Sequence, residues 1–99
     1  MQQSDSNFMA KVEIFTNIFC PYCSDAKRIL KKHGIPFKER NITILFGWMV
    51  PTKNFKEMFE RSGGKDTVPQ IFINNQYYGD ASKLKTDDQA NKLDTIFNS

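Results

Sequence analysis

The sequence predicts an α/β fold: a four-stranded mixed sheet flanked by three helices, in the order β-α-β-α-β-β-α. Three observations lead there. Short runs with alternating or continuous β-branched and aromatic residues mark strands, longer stretches with apolar residues three and four apart mark helices, and a two-residue turn signal joins the last two strands. Three amphipathic helices on one sheet need both of its faces.

The elements follow in order. Lys11-Val12-Glu13-Ile14-Phe15-Thr16 alternates polar and apolar residues and reads as the first strand. After Cys20-Pro21-Tyr22-Cys23 a helix is expected, with Ala26, Ile29, Leu30 and His33 on one face. Pro21 suits its first position, where a missing N–H costs nothing, while Gly34 and Pro36 stop it. Pro36 to Ile42 reads as the second strand. The connection makes a βαβ unit, so the first two strands should be parallel with a right-handed crossover. The segment from Thr43 to Thr52 has no clear period. Phe55, Met58 and Phe59 mark one face of a second helix closed by Gly63-Gly64. Val68 to Ile73 reads as the third strand, Asn74-Asn75 as a hairpin turn, and Gln76-Tyr77-Tyr78 as the fourth strand. A last helix is expected from Ala81 to Phe97, with Leu93, Ile96 and Phe97 facing inward.

With 99 residues, 39% of them hydrophobic and 25% charged, the chain has room for one modest core. Residues 1–9 read as a flexible tail and residues 10–98 as the single domain. The net charge of +3 is small, and no block of like charges suggests nucleic acid. Lys27-Arg28 and Lys31-Lys32 recur at helical spacing and read as a solvated face. The first ten residues lack the apolar run of a secretory signal, and Ile42 to Val50 is too short to span a membrane. A cytoplasmic monomer with no membrane partner is expected. Two cysteines in a reducing compartment are then catalytic, metal-binding or incidental before they are a structural staple.

Cys20 and Cys23 have the spacing that thiol–disulfide exchange needs. That chemistry takes an accessible thiolate and a second thiol to resolve the mixed disulfide. At a helix start, unpaired backbone N–H groups and the helix dipole favour negative charge on the first cysteine. The second lies nearly one turn along. Cys20 is the expected nucleophile and Cys23 the resolving thiol, since C-x-x-C beside a βαβ pattern is a redox signature. Zinc normally takes four protein ligands, whereas the chain offers two cysteines and His33, so no metal site is expected within it. His33 sits in the last helical turn, where partial positive charge is favourable, and reads as a helix-end residue.

Three motifs together resemble the glutaredoxin family: Cys20-Pro21-Tyr22-Cys23 after a strand, Arg61-Ser62-Gly63 closing the second helix, and Thr67-Val68-Pro69-Gln70-Ile71-Phe72-Ile73. The resemblance covers residues 10 to 98. It implies a thioredoxin-like fold and electron transfer from glutathione, as co-substrate, to protein disulfides or glutathionylated proteins, with no tightly bound cofactor. It also implies a cis bond before Pro69, leaving the Val68 backbone free to pair with an incoming peptide or glutathione. Tyr22, Thr67, Val68 and Pro69 would line the glutathione site. Lys65 would meet the glycine carboxylate, and the helix start at Ala81 and Ser82 the γ-glutamyl carboxylate.

The chain also departs from the family. Where members usually carry Gly-Gly, a small residue and Asp-Asp, it reads Gly79-Asp80-Ala81-Ser82-Lys83, so Asp80 is the acidic residue left to meet the γ-glutamyl amine. A lysine often found three residues before the first cysteine is Asn17. The segment Ile42 to Pro51 is longer than in compact members, and its Phe46, Trp48, Met49 and Val50 are apolar enough to extend the core or to dock a partner. Two other functions stay open: a glutaredoxin-like redoxin reduced by thioredoxin reductase, and an iron–sulfur cluster carrier. Pro21 and Tyr22 argue mildly against the second.

Overall fold

The structure, a computed structural model, describes residues 10–42 and 52–97. The expected tail, the apolar residues Phe46, Trp48, Met49 and Val50, and the domain's end at residue 98 lie outside the described residues.

The sheet has the order β2-β1-β3-β4, with β1 Val12–Thr16, β2 Lys38–Asn41, β3 Gln70–Ile73 and β4 Gln76–Gly79. β1 and β2 are parallel, Glu13 opposite Lys38 and Thr16 opposite Asn41. β1 and β3 are antiparallel, and so are β3 and β4, with an irregularity between Ile71 and Phe72. The sheet is therefore mixed, as expected. Asn74 and Asn75 both have positive φ, 52° and 69°, the turn geometry that asparagine tolerates and a tight hairpin demands.

Every residue of β1 is buried, although its sequence alternates. The reason is that helices cover both faces. On one side Val12, Ile14 and Ile71 pack with Ala26 and Leu30 of α1 (Pro21–Lys32). That core also takes Ala81 and Leu84 of α3 (Ala81–Gln89), and Leu93 and Phe97 of α4 (Leu93–Phe97). On the other side Phe15, Phe72 and Ile42 pack with Met58 of α2 (Lys53–Arg61). Phe55 joins this cluster, whereas Phe59, expected on the same face, is 43% exposed and stacks beside Phe55.

The helices end where the sequence places their stops. His33 caps α1 and Gly34 follows with φ 68°. The Gly34 N–H donates to Lys31 O and the Ile35 N–H to Leu30 O, which satisfies the last carbonyls. Thr52 caps the start of α2, its Oγ1 accepting the Phe55 N–H at 3.1 Å. The C-terminal helix differs from expectation, being two helices rather than one. Asn91 takes φ 58°, its N–H bonds to Asp88 O, and the Lys92 N–H bonds to Asp87 O, which turns the chain before α4. Leu93 and Phe97 reach the core through that turn.

Glu13 is 5% exposed on the α2 face, between two guanidinium groups. Arg40 Nη1 stands 2.9 Å from one carboxylate oxygen and Arg61 Nη2 2.9 Å from the other. Both arginines also pair with Glu57 at 2.7 Å. Arg61 lies 4.3 Å above the Phe72 ring. The network ties β1, β2 and α2 together at the end of the helix that leads to Ser62.

Candidate active site

The site is built from the turn after β1. Asn17 accepts the Phe19 N–H on its Oδ1 at 3.1 Å and the Cys20 N–H on its carbonyl at 3.2 Å. These two bonds set Cys20 as the N-cap of α1 in an extended conformation, φ −104° and ψ 109°. Its Sγ accepts the Cys23 N–H at 3.1 Å, occupying the position a serine or aspartate cap would take. Pro21 is the first helical residue, where it needs no partner.

The two cysteines, both free thiols, differ in setting. Cys20 is partly exposed, whereas Cys23 is 2% exposed. Burial pushes the Cys23 thiol up to about 12, and its hydrogen bond with Cys20 pushes the same way. Cys23 is therefore protonated at neutral pH. Cys20 sits at the mouth of the helix with the Cys23 N–H aimed at its sulfur. The asymmetry fits attack by the first cysteine and resolution by the second.

The Val68–Pro69 bond is cis, and the Val68 carbonyl lies 3.7 Å from Cys20 Sγ. Pro69 has no N–H for the sheet, and β3 begins only at Gln70. Gln70 is 1% exposed and fully engaged. Its Nε2 donates to Thr67 O at 2.9 Å and to Thr67 Oγ1 at 3.1 Å, and its Oε1 accepts the Tyr77 hydroxyl at 2.6 Å. Gln70 thus holds the Thr67–Pro69 segment in place. The motif reading gives it no role, and its one sequence signal is an amide inside an otherwise apolar run.

Beside the cysteines a cavity of about 320 Å³ is lined by Tyr22, Thr67, Val68, Pro69, Asp80, Ala81 and Ser82. These residues come from three separate stretches of sequence. Lys65, expected with them, is exposed and outside this lining, its backbone N–H held by Ser62 Oγ at 3.0 Å.

The departing segment has a definite structure. Asp80 is the N-cap of α3, its Oδ1 accepting the Lys83 N–H at 3.1 Å. Ala81 and Ser82, whose first-turn N–H groups have no acceptor within the helix, line the cavity at the start of α3. Lys83 turns away. Its ammonium pairs with buried Asp87 at 3.1 Å and lies over the Tyr78 ring at 4.9 Å. The Tyr78 hydroxyl donates to the same carboxylate, which is held below the usual range chiefly by that bond and then by Lys83, against the opposing effect of burial. Gly79, with φ 157°, leaves room for Lys83, whose Cδ would lie 2.7 Å from a Cβ there.

Other candidates fall outside the site. His33 Nε2 stands 2.6 Å from Asp88 Oδ1, joining α1 to α3. On the basic face of α1, Lys27 pairs with Glu39, Arg28 with Asp25 and Lys32 with Asp88. Among the described residues no group of three or more His, Cys, Asp or Glu side chains gathers to hold a metal ion, and no helix is long and apolar enough to cross a membrane.

Comparison with known proteins agrees with this geometry. The Glutaredoxin family model matches residues 12–78. Glutaredoxin 3 of Escherichia coli K12 is 40% identical over 88 residues, covering 89% of this chain and 98% of that protein. Glutaredoxin 1 of Rickettsia prowazekii is 34% identical over 93 residues, covering 93% and 92%. The solution structure of glutaredoxin from Brucella melitensis superposes with a TM-score of 0.71 at 33% identity, over 93% of this chain and 91% of that one. With a thioredoxin-like fold and a cysteine pair at the start of its first helix, the chain belongs to the glutaredoxin family of thiol–disulfide oxidoreductases.

Proposed function

We propose that this protein is a dithiol glutaredoxin that reduces protein disulfides and glutathione-mixed disulfides with electrons from glutathione. The observation that carries the reading is the Cys20 sulfur capping α1, hydrogen-bonded by the Cys23 N–H, at the edge of a cavity. The cavity matches glutathione in chemistry. The Val68 backbone offers peptide-like pairing, and the α3 N-terminus favours a carboxylate. Tyr22, Thr67, Val68 and Pro69 line the ligand, Ala81 and Ser82 receive the γ-glutamyl carboxylate, and Asp80 faces its ammonium. Exposed Lys65 meets the glycine carboxylate at the rim.

In this mechanism the Cys20 thiolate attacks a substrate sulfur, and the released sulfur leaves as a thiolate and takes a proton. Cys23 then attacks Cys20, freeing the reduced substrate and closing the Cys20–Cys23 disulfide. Two glutathione molecules reopen it. On a glutathionylated protein Cys20 takes the glutathionyl group directly. The expected working state is a cytoplasmic monomer.

The test is the rate at which glutathione reopens the oxidised protein, coupled to NADPH through glutathione reductase. Turnover at millimolar glutathione is expected. No turnover with glutathione, but turnover with NADPH and thioredoxin reductase, would favour a second reading. That reading, a redoxin served by thioredoxin reductase, is supported by one observation: Ser82 and Lys83 supply no carboxylate, and Lys83 is committed to Asp87.

A further inference from the structure

Five large apolar side chains are markedly exposed among the described residues, and three of them stand within positions 18–22: Ile18 at 57%, Phe19 at 83% and Tyr22 at 61%. They bracket the reacting cysteine. Phe19 precedes it directly, and Tyr22 occupies the first turn of the helix it caps. An aromatic ring this exposed, on a chain that buries Phe15, Phe72 and Phe97 completely, calls for a physical cause.

The cause is local. The Asn17 side chain holds the Phe19 N–H while the Asn17 carbonyl holds the Cys20 N–H, so the turn that places the sulfur also fixes the backbone of Phe19 with its side chain in water. A ring held out on a fixed turn loses little further freedom when a partner covers it, which favours its use as an anchor. The surroundings select the kind of partner. No charged residue occurs from Asn17 to Ser24. The nearest charges on α1 are answered within the chain, Asp25 by Arg28 and Lys27 by Glu39. Lys85, whose ammonium lies 6.0 Å from the Tyr22 ring centroid, is answered by Asp25 at 3.5 Å, and the three exposed apolar groups complement an apolar segment.

We propose that Phe19, with Ile18 and Tyr22 beside it, is an apolar rim that selects protein disulfides carrying an apolar side chain next to the attacked cysteine. The occupant is fixed by the chemistry of the neighbouring atom. A segment that covers this rim productively brings a disulfide sulfur to Cys20 Sγ, and the residue flanking that sulfur then lies against Phe19. In the exchange, a Cys20–substrate S–S bond forms as the substrate S–S bond breaks, and the departing sulfur takes a proton. Cys23 then forms the Cys20–Cys23 bond and releases the second sulfur, so two electrons pass from the dithiol to the substrate. The proposal rests on Cys20 as the attacking thiol but not on glutathione as the reductant.

The experiment is therefore a single turnover of the pre-reduced full chain, without glutathione. Two short peptides, each closed by one disulfide, carry leucine or serine on both flanks of both cysteines. Oxidised glutathione serves as a third oxidant. The leucine peptide is expected to react about tenfold faster per unit concentration than the serine peptide, a difference carried by the concentration dependence rather than the limiting rate. Phe19→Ser should remove that preference and leave the rate with oxidised glutathione unchanged. Equal rates for the two peptides, or a Phe19→Ser effect equal on all three oxidants, would overturn the proposal. So would a dimer in sedimentation that Phe19→Ser dissociates, because the rim would then be a contact between copies. Reaction with none of the three would overturn both this proposal and the assignment of Cys20, whereas failure of glutathione recycling alone would leave this result standing.

Discussion

Cys20 and Cys23 are three residues apart yet chemically unlike, and the difference comes from where the helix begins. The first cysteine caps α1 and accepts an N–H; the second is enclosed, and burial raises its pKa to about 12. Alkylation at neutral pH should therefore mark Cys20 and spare Cys23, as peptide mass spectrometry can read. Cys20→Ser should abolish every activity. Cys23→Ser should lose reduction of protein disulfides, which needs a resolving thiol, and keep removal of glutathione from glutathionylated proteins. Activity in Cys20→Ser, or preferential labelling of Cys23, would reverse the roles. At this scale the spacing and the strand–helix context made the cysteine pair legible, because both are local in sequence. Gln70 was not legible. Its work is to join Thr67 to Tyr77, and a partner on another strand leaves no trace beside the residue itself.

Elements show the same division. The strands and α1 could be read from short periods and end signals such as Pro21, Gly34 and Asn74-Asn75. The C-terminal helix could not, since the φ of 58° at Asn91 lets two short helices reach one core without a continuous stripe of apolar residues. The start of α3 carries the sharpest element-scale question, because Asp80 has two possible duties. As an N-cap it holds the Lys83 N–H, and removal of such a cap costs about 1 kcal/mol. As a charge at the cavity it would meet the ammonium of glutathione. Asparagine is an equally good cap without the charge. Asp80→Asn should therefore keep the urea midpoint of the parent and raise the KM for glutathione with little change in kcat. Asp80→Ala should lower the midpoint as well. An unchanged KM in Asp80→Asn would show that Asp80 serves α3 alone.

For the molecule as a whole, the sheet is held to α2 by charge as well as by Phe15, Phe72 and Met58. Glu13 lies in a strand that alternates in sequence, which suggests a face open to water. Its arginine partners are far along the chain, so only the folded structure shows that α2 covers it. Its carboxyl is held below the usual range, chiefly by the Arg61 hydrogen bond, with Arg40 assisting and burial opposing. Glu57, Glu39, Asp87 and Asp88 are lowered too, by their bonds to Arg40, Thr16, Tyr78 and Lys32 respectively. An acid whose folded pKa is depressed adds stability that is fully present above its unfolded value, and loses it as pH falls through the folded value. For the glutamates that unfolded value is 4.5. Stability should thus be nearly flat across neutral pH and fall as the pH drops below about 4.5. Glu13→Gln removes the acid whose burial is nearly complete and leaves Arg40 and Arg61 with one buried charge fewer between them. Losing one partner of such a buried set costs about 3 kcal/mol. The variant should have a lower urea midpoint at pH 7 and a shallower fall in acid, because one fewer group takes up a proton on unfolding. A variant that is destabilised at pH 7 but falls as steeply in acid would mean that the acid dependence belongs to the other four carboxylates. An unchanged midpoint would mean that the sheet and α2 are joined by their apolar contacts alone.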